Sequence, residues 1–368
     1  MPMGTSCLLA QEIWDEILDH LDERSDLEAS ALVCRAFVPR AQMHLFRAIT
    51  VGRHHTHHVM SASRLTEIIS HSPHIISHIH VLFIAWSNLG TLVPIVEIPW
   101  SRLIEIIFTP IDHTDDHERQ LDLIGSLVSL PTVRKISFFQ LWDSRHLRTV
   151  LARSNPGVCS LRFSRCSSLD KYSSHAPTAR NSLRPNVTSL ELLDAHTIPE
   201  FLFDATGPVQ LSRLAHVTFR TSSGDRINSL LHNCKDTIQS LDFDGSRESA
   251  ASLDLGAFSS LSHITLNGVG RPLQRAIESS GTSSVRTIYF ASDSATDSDL
   301  QLLDSIISAA KMPALQQVEV VLFIGGYQGP GRPRTTVDWT LLVEKMMPRL
   351  FERGILVIRC ESKPHISQ

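Results

Sequence analysis

Val187-Thr188-Ser189-Leu190-Glu191-Leu192 places apolar side chains at its first, fourth and sixth positions, and its last three residues alternate apolar, polar, apolar. That alternation is the period of a short strand with one buried face. The same spacing recurs upstream at Phe46/Ile49/Val51, Ile76/Ile79/Val81, Leu103/Ile106/Phe108, Val133/Ile136/Phe138 and Val158/Leu161/Phe163. Downstream it recurs at Leu214/Val217/Phe219, Ile238/Leu241/Phe243, Leu261/Ile264/Leu266, Val285/Ile288/Phe290 and Leu315/Val318/Val320. Eleven copies at intervals of 23 to 30 residues make an internal repeat. Stretches with helical spacing lie between them, at 121–130, 147–151, 227–231, 273–277, 300–307 and 341–347. Strand, helix and strand again within about 27 residues predict a right-handed coil whose strands run parallel.

This period resembles that of leucine-rich repeats, which run about 20 to 29 residues. The asparagine that ladders inside a regular repeat of that kind is missing from most copies, with Asn267 an isolated instance, so an irregular solenoid is expected over residues 49–368. A doubly wound α/β sheet is the competing architecture. It needs a phosphate-binding glycine loop at a switch point, and the sequence has none. Insertions interrupt the repeat at 112–117, 170–185 and 325–334, the last carrying Tyr327, Arg332 and Arg334 as candidates for partner contact.

Ahead of the repeat, Ile13, Ile17, Leu18 and Leu21 fall on one side of a helical spacing, with Glu12, Asp15, Glu16 and Asp19 on the other. A second short helix is expected after Asp26, a plausible N-cap, carrying Leu27, Ala31 and Leu32. A third follows Pro39 with Ala41, Met43, Leu45 and Phe46. Three short helices in about 40 residues have too little interior to bury all the apolar surface they present. Either the solenoid covers the remainder, as over a cap, or a second chain does.

The run Leu9-Ala10-Gln11-Glu12-Ile13-Trp14-Asp15-Glu16-Ile17-Leu18-Asp19-His20-Leu21, then Asp26-Leu27, then Ala31-Leu32-Val33-Cys34-Arg35-Ala36-Phe37, resembles the F-box, in the form expanded in fungi. The likeness covers residues 8–48. Ala10 stands where the family usually has proline, which removes a ring that fixes the chain ahead of the helix. Phe37 stands where it usually has tryptophan, which keeps an apolar plate and loses the indole N–H. The resemblance implies an α/β protein with a three-helix F-box unit leading into the solenoid, and docking on a Skp1-type adaptor within a cullin-RING ubiquitin ligase. Leu9, Ala10, Ile13, Ile17, Leu18, Leu21, Leu27, Val33, Cys34 and Phe37 would form the contact, each large apolar one worth roughly 1.5–3 kcal/mol if fully buried. The chain would then be the substrate-recognition subunit. Its unknown target protein would meet the outward polar residues Arg162, Glu191, Thr218, Asp242, Thr265 and Tyr289, with Tyr327. The alternative is a non-catalytic repeat scaffold whose N-terminal helices only cap the solenoid.

Charge and composition agree with a binding protein. Hydrophobic residues make up 42% and charged residues 20%, a balance suited to a packed core. Residues 1–50 hold eight acidic side chains against four arginines, which accounts for the whole net charge of -4. The rest is balanced, so no basic face for nucleic acid is expected. Six scattered cysteines without C-x-x-C spacing suit a reducing compartment, and the most apolar stretch, 75–86, is too short for the ~20 residues that span a bilayer. No positive segment precedes an apolar run at the N-terminus, so the expected location is cytoplasmic and/or nuclear, away from membranes.

Catalytic patterns are missing. There is no G-x-S-x-G elbow, no Walker loop and no G-x-G-x-x-G after a strand, and Asn267-Gly268-Val269-Gly270 is too short to cradle phosphate. His54, His55, His57, His58, His71, His74, His78 and His80 form a dense cluster, but with Glu67 as the single carboxylate among them and no cysteine nearby they read as structural or exposed histidines, not as a metal site. Cys34 reads as a buried, inert thiol on an apolar helix face. No cofactor and no enzymatic activity are expected.

Overall fold

The computed structural model describes residues 10–21, 23–52, 59–85, 89–109, 117–140, 144–166, 184–194, 202, 207–220, 224–278, 284–292, 296–310, 312–324 and 336–362. Three helices lead: α1 (Gln11–Asp19), α2 (Arg24–Val33) and α3 (Val38–Leu45). Pro39 sits in the first turn of α3, where its missing N–H leaves no bond unmade. Asp26 is not the N-cap of α2. The helix starts two residues earlier behind Glu23, so Asp26 falls in its first turn, where a carboxylate complements the positive end of the helix dipole.

Strands and helices then alternate. The strands are β1 (Ala48–Gly52), β2 (Val81–Ala85), β3 (Glu105–Phe108), β4 (Lys135–Phe139), β5 (Ser160–Ser164), β6 (Ser189–Leu193), β7 (His216–Arg220), β8 (Ser240–Phe243), β9 (His263–Leu266), β10 (Thr287–Ser292), β11 (Gln317–Ile324) and β12 (Leu356–Ser362). Between them lie α4 (Ala62–His71), α5 (Leu89–Val96), α6 (His117–Val128), α7 (Ser144–Ala152), α8 (Gly224–Asn233), α9 (Glu248–Ala251), α10 (Arg271–Glu278), α11 (Asp297–Ala309), α12 (Thr336–Met346) and α13 (Pro348–Glu352). Contacts divide the described residues into two units, one running up to Phe139 together with Thr149–Val158, the other made of Gln140–Arg148 and Cys159 onward.

In the first unit β1 to β4 lie side by side in sequence order, all parallel. In the second, β5 to β12 do the same. The fold is thus the α/β, parallel-strand, solenoid-like arrangement that the repeat predicts. No helix among the described residues is long and apolar enough to cross a membrane.

Register explains why the repeat is apolar where it is. In the first unit Ile49, Leu82, Ile106 and Ile136 form one row and Val51, Ile84, Phe108 and Phe138 the next, all buried. The second unit repeats this with Leu161, Leu190, Val217, Leu241, Ile264, Ile288 and Val318, followed by Phe163, Leu192, Phe219, Phe243, Leu266, Phe290 and Val320. Neighbouring rings stack along these rows: Phe108 on Phe138 at 5.9 Å and Phe219 on Phe243 at 5.5 Å between centroids. Each such side chain adds roughly 1.5–3 kcal/mol of burial, so the rows dominate cohesion.

Polar bonds register one repeat on the next. At the start of the strands one carbonyl accepts two successive N–H groups from the following repeat, as when Thr188 and Ser189 both donate to Cys159 O, and Ser262 and His263 to Gln239 O. Side-chain donors add to these bonds. Thr237 Oγ1 donates to Leu214 O at 2.8 Å, and Ser284 Oγ to Leu261 O at 2.6 Å. Just past β4, β5 and β6 the residues Gln140, Arg165 and Asp194 all take left-handed backbone (φ 65, 54 and 48°), a strained turn that each repeat supports by bonding its N–H to the next strand.

Two expectations need correction. The second copy is not Ile76/Ile79/Val81 but Ile79/Leu82/Ile84, all three fully buried, whereas Val81 is only half-buried. Both triplets satisfy the spacing, and only pairing with β1 separates them. The repeat also continues one strand further than Leu315/Val318/Val320. In β12 the position of the first apolar residue is taken by Arg353, and Gly354 turns the chain at φ 68°.

Candidate functional site

The N-terminal helices are assembled by α3. Asp19, at the end of α1, accepts from Arg40 Nε and Nη2 on α3 and lies 2.8 Å from His44 Nε2. The bonds from Arg40 and His44 hold the Asp19 carboxyl well below the usual carboxylate range. At the other end of α1, Gln11 Nε2 donates to Ala36 O at 3.3 Å, and the Trp14 ring packs on Phe37 with centroids 5.2 Å apart. Phe37 therefore supplies an apolar plate against α1.

The candidate adaptor residues divide between inside and outside. Leu18 and Leu27 are 2% and 6% exposed and, with Ala41, form the interior of the helical unit. Leu21 and Phe37 are half-buried. Ile13 and Ile17 on α1 remain 44% exposed each, while Leu32 and Val33 at the end of α2 are 89% and 77% exposed. Ala10 is exposed, and Leu9 lies outside the described residues. Leu32, outside the expected contact set, is more exposed than Ile13, Ile17 or Val33. Cys34 is not buried: α2 ends at Val33, Cys34 takes extended backbone, and its exposed Sγ accepts the N–H of Ala36 at 3.4 Å.

The outward residues of the repeat are brought together more closely than sequence could show. Arg162, Glu191, Thr218, Asp242, Thr265 and Tyr289 occupy one register row across β5 to β10, opposite the buried rows, and each is half-buried. Tyr327 lies outside the described residues, as do Arg332 and Arg334. Arg162 Nε lies 2.6 Å from Glu191 Oε2, a close ion contact without the angle of a hydrogen bond. Asp242 Oδ1 accepts from Asn267 Nδ2 at 2.5 Å, yet burial pushes its carboxyl above the usual range against the pull of Arg220. Burial also raises the Tyr289 phenol, with Glu361 and Glu319 adding to it. The row is thus a band of partly desolvated polar groups, tied together by the Arg162–Glu191 ion contact and the bond from Asn267 to Asp242.

In the first unit the equivalent face, opposite that unit's own buried rows, is different in kind. Val81, Phe83, Ile107 and Phe139 stand there, with the Phe83 and Phe139 rings 6.3 Å apart. Ser137 is fully buried on it and donates to Glu105 Oε1 at 3.1 Å, beside the Glu105–Lys135 ion pair at 3.4 Å.

Of the histidine cluster, His54, His55, His57 and His58 lie outside the described residues. The others serve the backbone and neighbouring side chains: His71 Nδ1 is 2.8 Å from Glu67 O, His80 Nδ1 is 2.7 Å from His78 O, and His74 Nε2 is 3.3 Å from Gln42 Oε1 on α3. Among the described residues no three His, Cys, Asp or Glu side chains converge as metal ligands would. Compared with protein-family models and with curated proteins, the chain matches no family and no curated relative.

Proposed function

We propose that the chain is the substrate-recognition (F-box) subunit of an SCF-type cullin-RING ubiquitin ligase, binding a Skp1-type adaptor through α1 and α2 and a target protein through the polar row of β5 to β10. The observation that carries this reading is the apolar surface left open at the N-terminus: Ile13, Ile17, Leu32 and Val33 are exposed although α1 and α2 already have an interior in Leu18 and Leu27. A helix needs no second set of exposed large apolar side chains for its own unit. Burying Leu32 and Val33 alone would contribute several kcal/mol, on the order of 1.5–3 kcal/mol each, toward the cost of association. Catalysis then belongs to other subunits.

The scaffold reading, in which the helices only cap the repeat, draws on the contact of α3 with the turn at Pro73–His78, exemplified by Gln42 and His74. Pull-down with purified Skp1 separates the two. Wild type is expected to bind, while Ile17→Asp and Val33→Asp reduce binding by roughly tenfold or more, in keeping with the loss of a buried anchor. A wild-type chain that does not bind Skp1 rejects the ligase reading in favour of the cap.

A further inference from the structure

β12 is the last strand of its sheet, and among the described residues no strand pairs with its far edge. Val318 N–H donates to Ile355 O at 2.8 Å. In a parallel ladder with this register, the backbone groups of Ile355, Val357, Arg359 and Glu361 turn toward β11. Those of Leu356, Ile358, Cys360 and Ser362 therefore face the open edge. Such a row is a template for another strand. Leu341 on α12, Phe351 on α13 and Val357 on β12 are exposed, and apart from Ile104 they are the only exposed large apolar side chains among the described residues outside α1 and α2.

We propose that β12 pairs antiparallel with β12 of a second copy of this chain, about a two-fold axis through Cys360. The charges select the register. An axis through Arg359 would set Arg359 against its own copy, and one through Ile358 would set Arg359 against Val357 and leave Glu361 against Ile355. An axis through Cys360 sets Arg359 opposite Glu361 twice, at the closely spaced, non-hydrogen-bonded positions where cross-strand side chains interact most strongly. Ile358, Cys360 and Ser362 then exchange the outward backbone bonds. Arg359 Nε is already 2.9 Å from Glu319 Oε1, yet its side chain remains 60% exposed, so the rest of its fork of donors is available to Glu361 of the second copy. The two Cys360 Cα atoms would lie about 5.5 Å apart. This pairing does not depend on adaptor binding.

Sedimentation equilibrium of the full chain over the micromolar range tests the pairing, and wild type is expected to dimerise with increasing concentration. Glu361→Arg and Arg359→Glu should each weaken association by about tenfold or more, because both cross-strand pairs become repulsive. An equimolar mixture of the two variants should dimerise again, since Arg359 then meets Glu361 and the introduced arginine meets the introduced glutamate. Recovery on mixing cannot come from misfolded chains. Ser362→Pro, which removes one outward N–H without touching the β11 ladder, should also weaken the dimer, and a short bis-maleimide should link Cys360 to Cys360. A wild type that stays monomeric overturns the proposal, as does a dimer indifferent to Glu361→Arg and Ser362→Pro, or a mixture of the charge variants that stays monomeric.

Discussion

Opposite its own buried rows the first unit carries Phe83, Ile107 and Phe139 beside Ser137 and the Glu105–Lys135 pair, whereas the second unit carries a row that is polar and charged throughout β5 to β10, with Arg162, Glu191, Thr218, Asp242, Thr265 and Tyr289. The inward rows do not differ in this way, since both units fill them with Ile, Leu, Val and Phe. Cohesion therefore rests on one device used throughout, and the second face is free to be chemically specialised from unit to unit. The positions that vary between the two units are those that make no contribution to the common core, which is where recognition can be built without loss of fold.

The largest effects should fall on the shared device. Phe138→Ala in the first unit and Phe243→Ala in the second each remove a fully buried ring from a stacked row and should lower stability by about 3–5 kcal/mol, read from urea denaturation. Equal losses sharpen the comparison, and a loss below about 1 kcal/mol at either site would break it. Next in size, Phe83→Ala on the apolar outer face should cost about 1–2 kcal/mol, because that ring is half-buried and leaves a smaller cavity. Thr218→Ala at the equivalent row of the second unit should cost less than about 1 kcal/mol. A Thr218 variant as damaged as the Phe83 variant would mean that the polar row is structural rather than available to a partner.

Much of this organisation was legible because a strand's period of two is short and strict. Leu190-Glu191-Leu192 cannot turn Glu191 inward without exposing both leucines, so the outer row followed directly from the alternation. Legibility failed where the pattern was degenerate or interrupted. Ile76, Ile79, Val81, Leu82 and Ile84 offer two overlapping triplets, and only the pairing partner chooses between them. β12 escaped because Arg353 and Gly354 occupy the first third of its motif. α5 escaped because Pro94 lies inside it, and α9 because four residues carry no period. In the helical unit the apolar stripe of α1 was visible, but the division of that stripe, Leu18 inward and Ile13 and Ile17 outward, depends on where α3 is clasped through Asp19, Arg40 and His44. Helical spacing carries no information about that clasp. The exposure of Cys34 has a related cause, since α2 ends one residue before it and helical spacing does not mark that end.

The smallest effect is the one most specific to the polar face. Burial holds the Asp242 carboxyl above its ordinary range, more strongly than Arg220 and the bonds from Asn267 and Thr218 can lower it. A carboxyl whose folded pKa exceeds its unfolded value stabilises the fold only while protonated, so its contribution is complete below the unfolded value and is lost as pH rises through the folded one. Asp242→Asn keeps an oxygen to accept from Asn267 and has no charge to desolvate. Its unfolding free energy from urea denaturation should match wild type near pH 3.5 and exceed it near pH 7, by well under about 1 kcal/mol because the group is partly solvated. A variant less stable than wild type at neutral pH would mean that attraction from Arg220 outweighs burial. The row would then be an internal ion network closed on itself, and the contrast between the two faces would be one of packing chemistry, with no partner surface implied.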